Sequence, residues 1–174
     1  MAGVKLALLS DLHANLRALQ ACLVHAREAG ATAHAFLGDL VGYGAEPAEV
    51  VAQVAALAAQ GAAVVRGNHD AAALHPPPVQ RTAEDASAAW THARLDPEQR
   101  AFLGPLPLPA TVGGLLLVHA SADEPARWRY GDRPALAERR LEAASRDACA
   151  RQVACGHVHA QCLYFRGRAG RLQP

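Results

Sequence analysis

The sequence predicts an α/β fold built on a largely parallel sheet. Short apolar runs of strand length alternate with longer stretches whose apolar residues recur at helical spacing. Polar loops rich in Asp, Asn and His follow the apolar runs, and Gly or Pro marks most junctions. A strand-loop-helix order repeated in this way brings successive strands side by side in parallel.

The elements follow in order. "VKLALL" is a buried strand, and "SDLHAN" is the loop that leaves it. "LRALQACLVHAREAG" carries Leu16, Leu19, Leu23 and Ala26 on one helical stripe, with Gly30 suited to its C-terminal cap. "AHAFLGD" is a second strand entering the loop "VGYGAEP". Pro47 fits the first turn of a helix that ends near Gly61. "AAVVRGNHD" is a third strand running into a third polar loop. After the proline-rich loop "LHPPPVQ", "TAEDASAAWTHARL" is a helix with Thr82 and Asp85 placed as a capping box. "DPEQRAFLGPL" opens another, with Asp96 as N-cap and Pro97 in the first turn. "LPATVGGLLLVHAS" is a hairpin turning at Gly113 and Gly114. "RPALAERRLEAASRD" is helical, "RQVAC" is a strand, and "CLYFRGRAGRLQP" begins a last hairpin. No repeat or long linker divides the chain, so residues 1–174 are expected to form one domain.

Composition narrows the function. The 174 residues are 51% hydrophobic and 19% charged, with formal net charge +1. That balance suits a globular protein and gives no reason to expect a stable nucleic-acid partner or an anionic membrane. Lys5 is the only lysine, and arginine with abundant alanine looks like codon bias. "MAGVKLALLSDLHAN" lacks the form of a signal peptide, and no apolar run approaches membrane-spanning length. Cys22, Cys149, Cys155 and Cys162 form no C-x-x-C pair, so free thiols and a cytoplasmic location are expected.

Five polar motifs stand where strands are expected to end: Asp11-x-His13, Gly38-Asp39, Gly67-Asn68-His69-Asp70, His119, and Gly156-His157-x-His159. Loops beyond the carboxyl ends of the strands build the site in such sheets, so these residues are expected to converge. On an extended backbone, residues two apart point the same way, which would aim Asp11 with His13 and His157 with His159. Carboxylate and imidazole without thiolate suit manganese, iron or zinc. The donors outnumber what one tetrahedral ion takes and fit two ions roughly 3.5–4 Å apart with a shared carboxylate. Such a pair supports in-line displacement at phosphorus.

These motifs, in this order, resemble the calcineurin-like metallophosphoesterase superfamily. "SDLHANLRAL", "LGDLVGYG" and "RGNHD" resemble its bacterial phosphodiesterase-like branch. The resemblance runs from Val4 to about His159. It implies a four-layer sandwich of two mixed β-sheets flanked by helices. It implies a first metal on Asp11, His13 and His159, a second on Asn68, His119 and His157, and Asp39 bridging them. His69 is then the catalytic histidine facing the leaving group, Asp70 orients its ring, and Asn15 touches phosphate. Two divalent ions are implied, manganese first, with iron, zinc, nickel or magnesium as alternatives. The implied substrate is a small phosphodiester such as a cyclic nucleotide, with phosphomonoester or phosphoprotein hydrolysis as the enzymatic alternative and a non-catalytic metal-binding scaffold as the alternative of another class.

The resemblance also implies strands after G-H-x-H that this sequence lacks. The second sheet is therefore expected to be incomplete at its C-terminal side, leaving an edge for a homo-oligomer unless the chain is a monomer. Other chemistries fit less well. "VGYG" lacks the G-K-[ST] of a phosphate-binding loop, Cys155 sits in an apolar strand, and H-x-H comes too late for a β-lactamase-type metal site. His25, His34, His75 and His92 fall outside the motifs and are expected to be structural or solvent-facing.

Overall fold

The computed structural model describes residues 4–130, 134–146, 150–166 and 172–173. Strand β1 (Leu6–Leu9) leads to helix α1 (Leu16–Glu28), β2 (Ala33–Phe36), α2 (Pro47–Ala59) and β3 (Ala63–Val64). The three strands lie in the order β1-β2-β3, all parallel, with Leu9 opposite Phe36 and Phe36 opposite Val64. Helices α3 (Asn68–Leu74), α4 (Ala83–Arg94) and α5 (Pro97–Leu103) follow. The hairpin β4 (Pro109–Val112) and β5 (Leu115–Val118) turns through Gly113 and Gly114 at φ +57° and +87°, a backbone that glycine adopts without strain. After α6 (Pro134–Ala144), β6 (Gln152–Cys155) joins β5 in parallel, so the second sheet mixes an antiparallel and a parallel pair. β4 and β6 are its outer strands among the described residues. β7 (Phe165–Arg166) and β8 (Leu172–Gln173) form a separate antiparallel pair.

The layers follow from strand alternation. Along β2 and the residue after it, Phe36 faces the helices while Ala35 and Leu37 face the second sheet. The helix side is the main core, where Phe36, Leu40, Val50, Val51, Val54 and Leu103 are fully buried. Burying each such side chain favours folding by roughly 1.5–3 kcal/mol relative to exposure. The expected stripe on α1 is used, with Leu19 and Ala26 buried and Leu16 and Leu23 packed on this core. Between the sheets lies a seam of small side chains, Ala35, Ala63, Ala110 and Ala154, with Leu37, Val65 and Leu117. Beyond the second sheet, Leu116 and Val118 pack with Ala144 of α6. The result is helices, sheet, sheet, helix, the expected α/β sandwich.

The caps agree with the sequence at α4 and α5. The Thr82 hydroxyl accepts from the Asp85 N–H at 3.1 Å, and Asp96 accepts from the Gln99 N–H at 2.8 Å. One expectation fails. Gly67-Asn68-His69-Asp70 is not an open loop, because α3 begins at Asn68. Asp70 at the third helical position accepts the Gly67 N–H at 2.8 Å, which closes the helix start. The expected sixth helix spans Pro134–Ala144, and Arg133 and Asp147 at its expected ends lie outside the described residues, as does Cys149. Among the described residues no helix is long and apolar enough to cross a membrane.

Candidate metal centre

The strand-end loops are laced to one another before any side chain is considered. The Asp11 N–H donates to the Gly38 carbonyl at 3.1 Å, His13 to Asp39 at 3.0 Å and Ala14 to Leu40 at 2.9 Å. This ladder extends the β1–β2 pairing into the loops, but its residues are not extended. Asp11, His13, Ala14 and Asp39 hold φ of +54°, +45°, +53° and +51°, and His157 and His159 hold +72° and +55°. Left-handed backbone at non-glycine residues is strained by about 1–3 kcal/mol each and concentrates at functional sites. The side chains therefore converge by local twists and not by the extended-chain alternation expected from their spacing.

Two clusters result. In the first, the His159 Nε2 lies 3.3 Å from an Asp11 carboxylate oxygen and 3.0 Å from the His13 Nε2. In the second, the His119 Nε2 lies 3.1 Å from an Asp39 carboxylate oxygen and 3.0 Å from the Asn68 side-chain oxygen, with His157 joining Asp39 and His119. Asp39 also groups with His13 and His69, which places it between the two. Within each group the donor atoms lie within 4.8 Å of one another. His157 and His159 thus part company, one to each cluster.

The donors fit divalent ions. Three imidazoles are tied through one ring nitrogen to a backbone carbonyl: His13 Nδ1 to Val41 at 3.2 Å, His119 Nδ1 to Leu37 at 2.7 Å, and His157 Nε2 to Trp128 at 2.9 Å. Such a bond fixes the ring and leaves the other nitrogen free to coordinate, as it is in metal-ligating histidines. Glycine supplies the clearance. A Cβ on Gly67 would stand 2.1 Å from an Asp39 carboxylate oxygen, and one on Gly156 would stand 1.8 Å from the Ser10 hydroxyl and 2.5 Å from Asp11. Asp11 itself is held by the Ser10 hydroxyl at 2.6 Å and the His157 N–H at 3.0 Å.

Electrostatics bind the pair at the centre. Burial pushes the Asp39 carboxyl up, but the bond and charge of His119 outweigh it and hold the carboxyl below its usual range. Burial alone would lower His119, and the Asp39 charge instead raises it. His13 and His157 are lowered, chiefly by burial.

Residues 4–172 match the calcineurin-like phosphoesterase superfamily domain. The chain belongs to this superfamily. It is 34% identical over 131 residues to an uncharacterized protein of Methanocaldococcus jannaschii, a stretch covering 72% of this chain and 53% of that protein. The chain thus spans about half the length of that relative. A metallophosphoesterase from Sphaerobacter thermophilus superposes with a TM-score of 0.71 at 32% identity, covering 94% of this chain and 64% of that one. A hypothetical protein from Pyrococcus horikoshii OT3 shares the fold, with a TM-score of 0.76 at 21% identity over 97% of this chain and 75% of its own.

Within this superfamily fold, two expected site residues have other contacts. The Asn15 side-chain oxygen, expected at phosphate, accepts from the Ala18 N–H at 3.0 Å and caps α1. Asp70 is wholly buried and accepts from the N–H groups of Leu40, Val41 and Gly67 at 2.8, 3.2 and 2.8 Å. Among the described residues its bonds go to backbone, and those from Leu40 and Val41 tie α3 to the Asp39 loop. Burial, with the charge of Asp39, pushes the Asp70 carboxyl up to about 7. The His69 N–H donates to Asp39 at 2.9 Å, and its ring stands 5.0 Å from that of His13.

Above the clusters opens a cleft of about 340 Å³ lined by Asp39, Tyr43, His69, Tyr130, His157, Val158 and His159. The two tyrosines carry no motif signal beyond the glycines around Tyr43. Among the remaining histidines, His25 and His75 are exposed and His92 is bonded to the Ala73 carbonyl at 2.8 Å. Cys155 packs against the α6 side of the second sheet, and burial pushes its thiol up, which disfavours the reactive thiolate.

Proposed function

We propose that this chain hydrolyses phosphoesters with two divalent ions, manganese first, and that its substrates are small phosphodiesters such as cyclic nucleotides. The observation that carries this reading is the position of Asp39 between two donor clusters, with His69 beside it on the wall of the cleft. Asp11, His13 and His159 would hold one ion, Asn68, His119 and His157 the other, and Asp39 both. When bound, such a pair supplies an acidified water and neutralises charge on phosphoryl oxygens. His69 would hold the proton that the departing oxygen needs. Asp70 would keep His69 in place through the backbone, by fixing the start of α3 against the Asp39 loop.

The likeness to the Sphaerobacter thermophilus metallophosphoesterase supports the reaction class. The strings around Asp11, Asp39 and Asn68 support the bacterial phosphodiesterase-like branch and hence diesters. The test is release of nitrophenol from bis(4-nitrophenyl) phosphate and from 4-nitrophenyl phosphate, with manganese, zinc or magnesium added in turn. Turnover is expected with manganese, on the bis ester before the mono ester. Preference for the mono ester would instead indicate a phosphomonoesterase or phosphoprotein phosphatase. Bound metal without turnover of either ester would indicate a scaffold.

A further inference from the structure

The V-G-Y-G stretch supplies no candidate metal donor beyond the Val41 carbonyl's hold on the His13 ring, yet it is built into the centre at a cost. Tyr43 holds φ +63°, a conformation that bulky residues avoid. The glycines beside it are there for contact. A Cβ on Gly42 would stand 2.7 Å from the His69 ring, and one on Gly44 would stand 2.1 Å from the His13 carbonyl. The loop is thereby pressed onto both histidines, and the Tyr43 N–H is anchored on the Ser87 hydroxyl at 2.9 Å. The Tyr43 ring lies 4.4 Å from that of His69 and 4.7 Å from that of His13, yet the residue is 58% exposed. On the other flank of the same cleft, Tyr130 stacks on His157 at 3.9 Å with 29° between planes and is 71% exposed. Each flank of the metal centre thus carries one large, exposed aromatic ring.

We infer that Tyr43 and Tyr130 determine specificity by each receiving a planar aromatic group on one ester arm of a phosphodiester. Tyr43 serves the leaving arm, because it abuts His69. Tyr130 serves the retained arm, because it abuts His157. The preferred substrates then carry an aromatic ring on both arms, as a diester of two nucleosides does. A monoester, with one arm, can use only one of the two rings. The inference rests on the phosphodiesterase reading above and narrows its substrate class from cyclic nucleotides, which carry a single base, to diesters of two aromatic groups.

Calorimetric titration of the manganese-loaded protein with diphenyl phosphate and with diethyl phosphate tests it. Both carry the same anionic phosphoryl group, so they differ in the arms alone. The diphenyl compound should bind at least about tenfold more tightly, and Tyr43→Leu and Tyr130→Leu should each remove roughly tenfold of that preference. Tyr43→Phe and Tyr130→Phe should keep it, since the ring remains. Tyr130 is exposed, so its substitution leaves the core intact and keeps the test valid where Tyr43→Leu disturbs its loop. Equal affinities in the wild-type protein, or a preference unchanged in both leucine variants, would overturn the inference. A preference for diphenyl phosphate without turnover of bis(4-nitrophenyl) phosphate would remove the hydrolytic reading and leave the aromatic pair standing. Turnover without the preference would do the reverse.

Discussion

Asp39, His119 and His157 are 2%, 1% and 4% exposed, whereas the neighbouring cluster relies on His159, whose side chain is 52% exposed. The two use the same kinds of donor. They differ in what holds the donors. His119 extends β5 past the fully buried Leu117 and Val118, and its ring is fastened across the seam to the Leu37 carbonyl. His159 lies beyond the end of β6, and its ring is placed by Asp11 and His13. A donor fixed by the core is in position before an ion arrives, while a donor fixed by its fellow ligands is ordered in part by the ion. The buried cluster should therefore load first and release last.

The largest effect comes from removing what the clusters share. Asp39→Ala should empty both and reduce activity roughly 10⁶-fold or more, toward the uncatalysed rate; elemental analysis finding an ion retained would break the assignment of Asp39 to both sites. His69→Ala should lower kcat by about 10²–10⁴ with metal content unchanged, as its proposed role as proton donor and not metal ligand requires. Unaltered turnover would sink that role. His159→Ala sharpens the comparison itself. It should weaken one ion by about 10–100-fold or more and leave the other bound, a split visible in competition with a metal-sensitive dye. Equal weakening of both would show that burial does not separate them.

Smaller effects test the supports. In the metal-free protein, Asp70 has its folded value at about 7 against an ordinary 3.8. The folded state then holds a proton that the unfolded chain gives up, so this group favours the fold below pH about 4 and that contribution is lost as pH rises through about 7. Thermal unfolding of metal-free protein should show falling stability across that window, and Asp70→Asn should flatten the slope. Asn15→Ala should cost about 0.5–2 kcal/mol of stability through loss of the α1 cap, with KM unaltered. A raised KM with unchanged melting would return Asn15 to the substrate.

The sequence was most legible where one physical signal dominated. The stripe Leu16, Leu19, Leu23 and Ala26 could only be a buried helix face, and Thr82 with Asp85 marked a helix start through local bonds alone. The five motifs set His, Asp and Asn at strand ends, and those donors gather into the clusters around Asp39. What stayed hidden depends on contacts between distant segments. Gly67-Asn68-His69-Asp70 has the composition of a turn, and the helix there is stabilised when Asp70 reaches residues 30 and 29 positions away, Leu40 and Val41. Asn15 suits a phosphate or a helix cap equally well by type, and only the fold shows the Ala18 N–H within reach of its side-chain oxygen. Tyr43 reads as an ordinary loop residue until Gly42 and Gly44 are seen against His69 and His13.

The alanines of the inter-sheet seam, unremarkable in the composition, set a dimension of the active centre. Asp39 leaves the first sheet and His119 and His157 leave the second, so the distance between their ends is the thickness of the layer beneath them. Ala35, Ala63, Ala110 and Ala154 act there as a shim. A thicker side chain at fully buried Ala35 would push the sheets apart and lengthen the His119–Leu37 bond. The approach of His119 and His157 to Asp39 is in this sense an architectural tolerance, held by methyl groups outside the donor cluster.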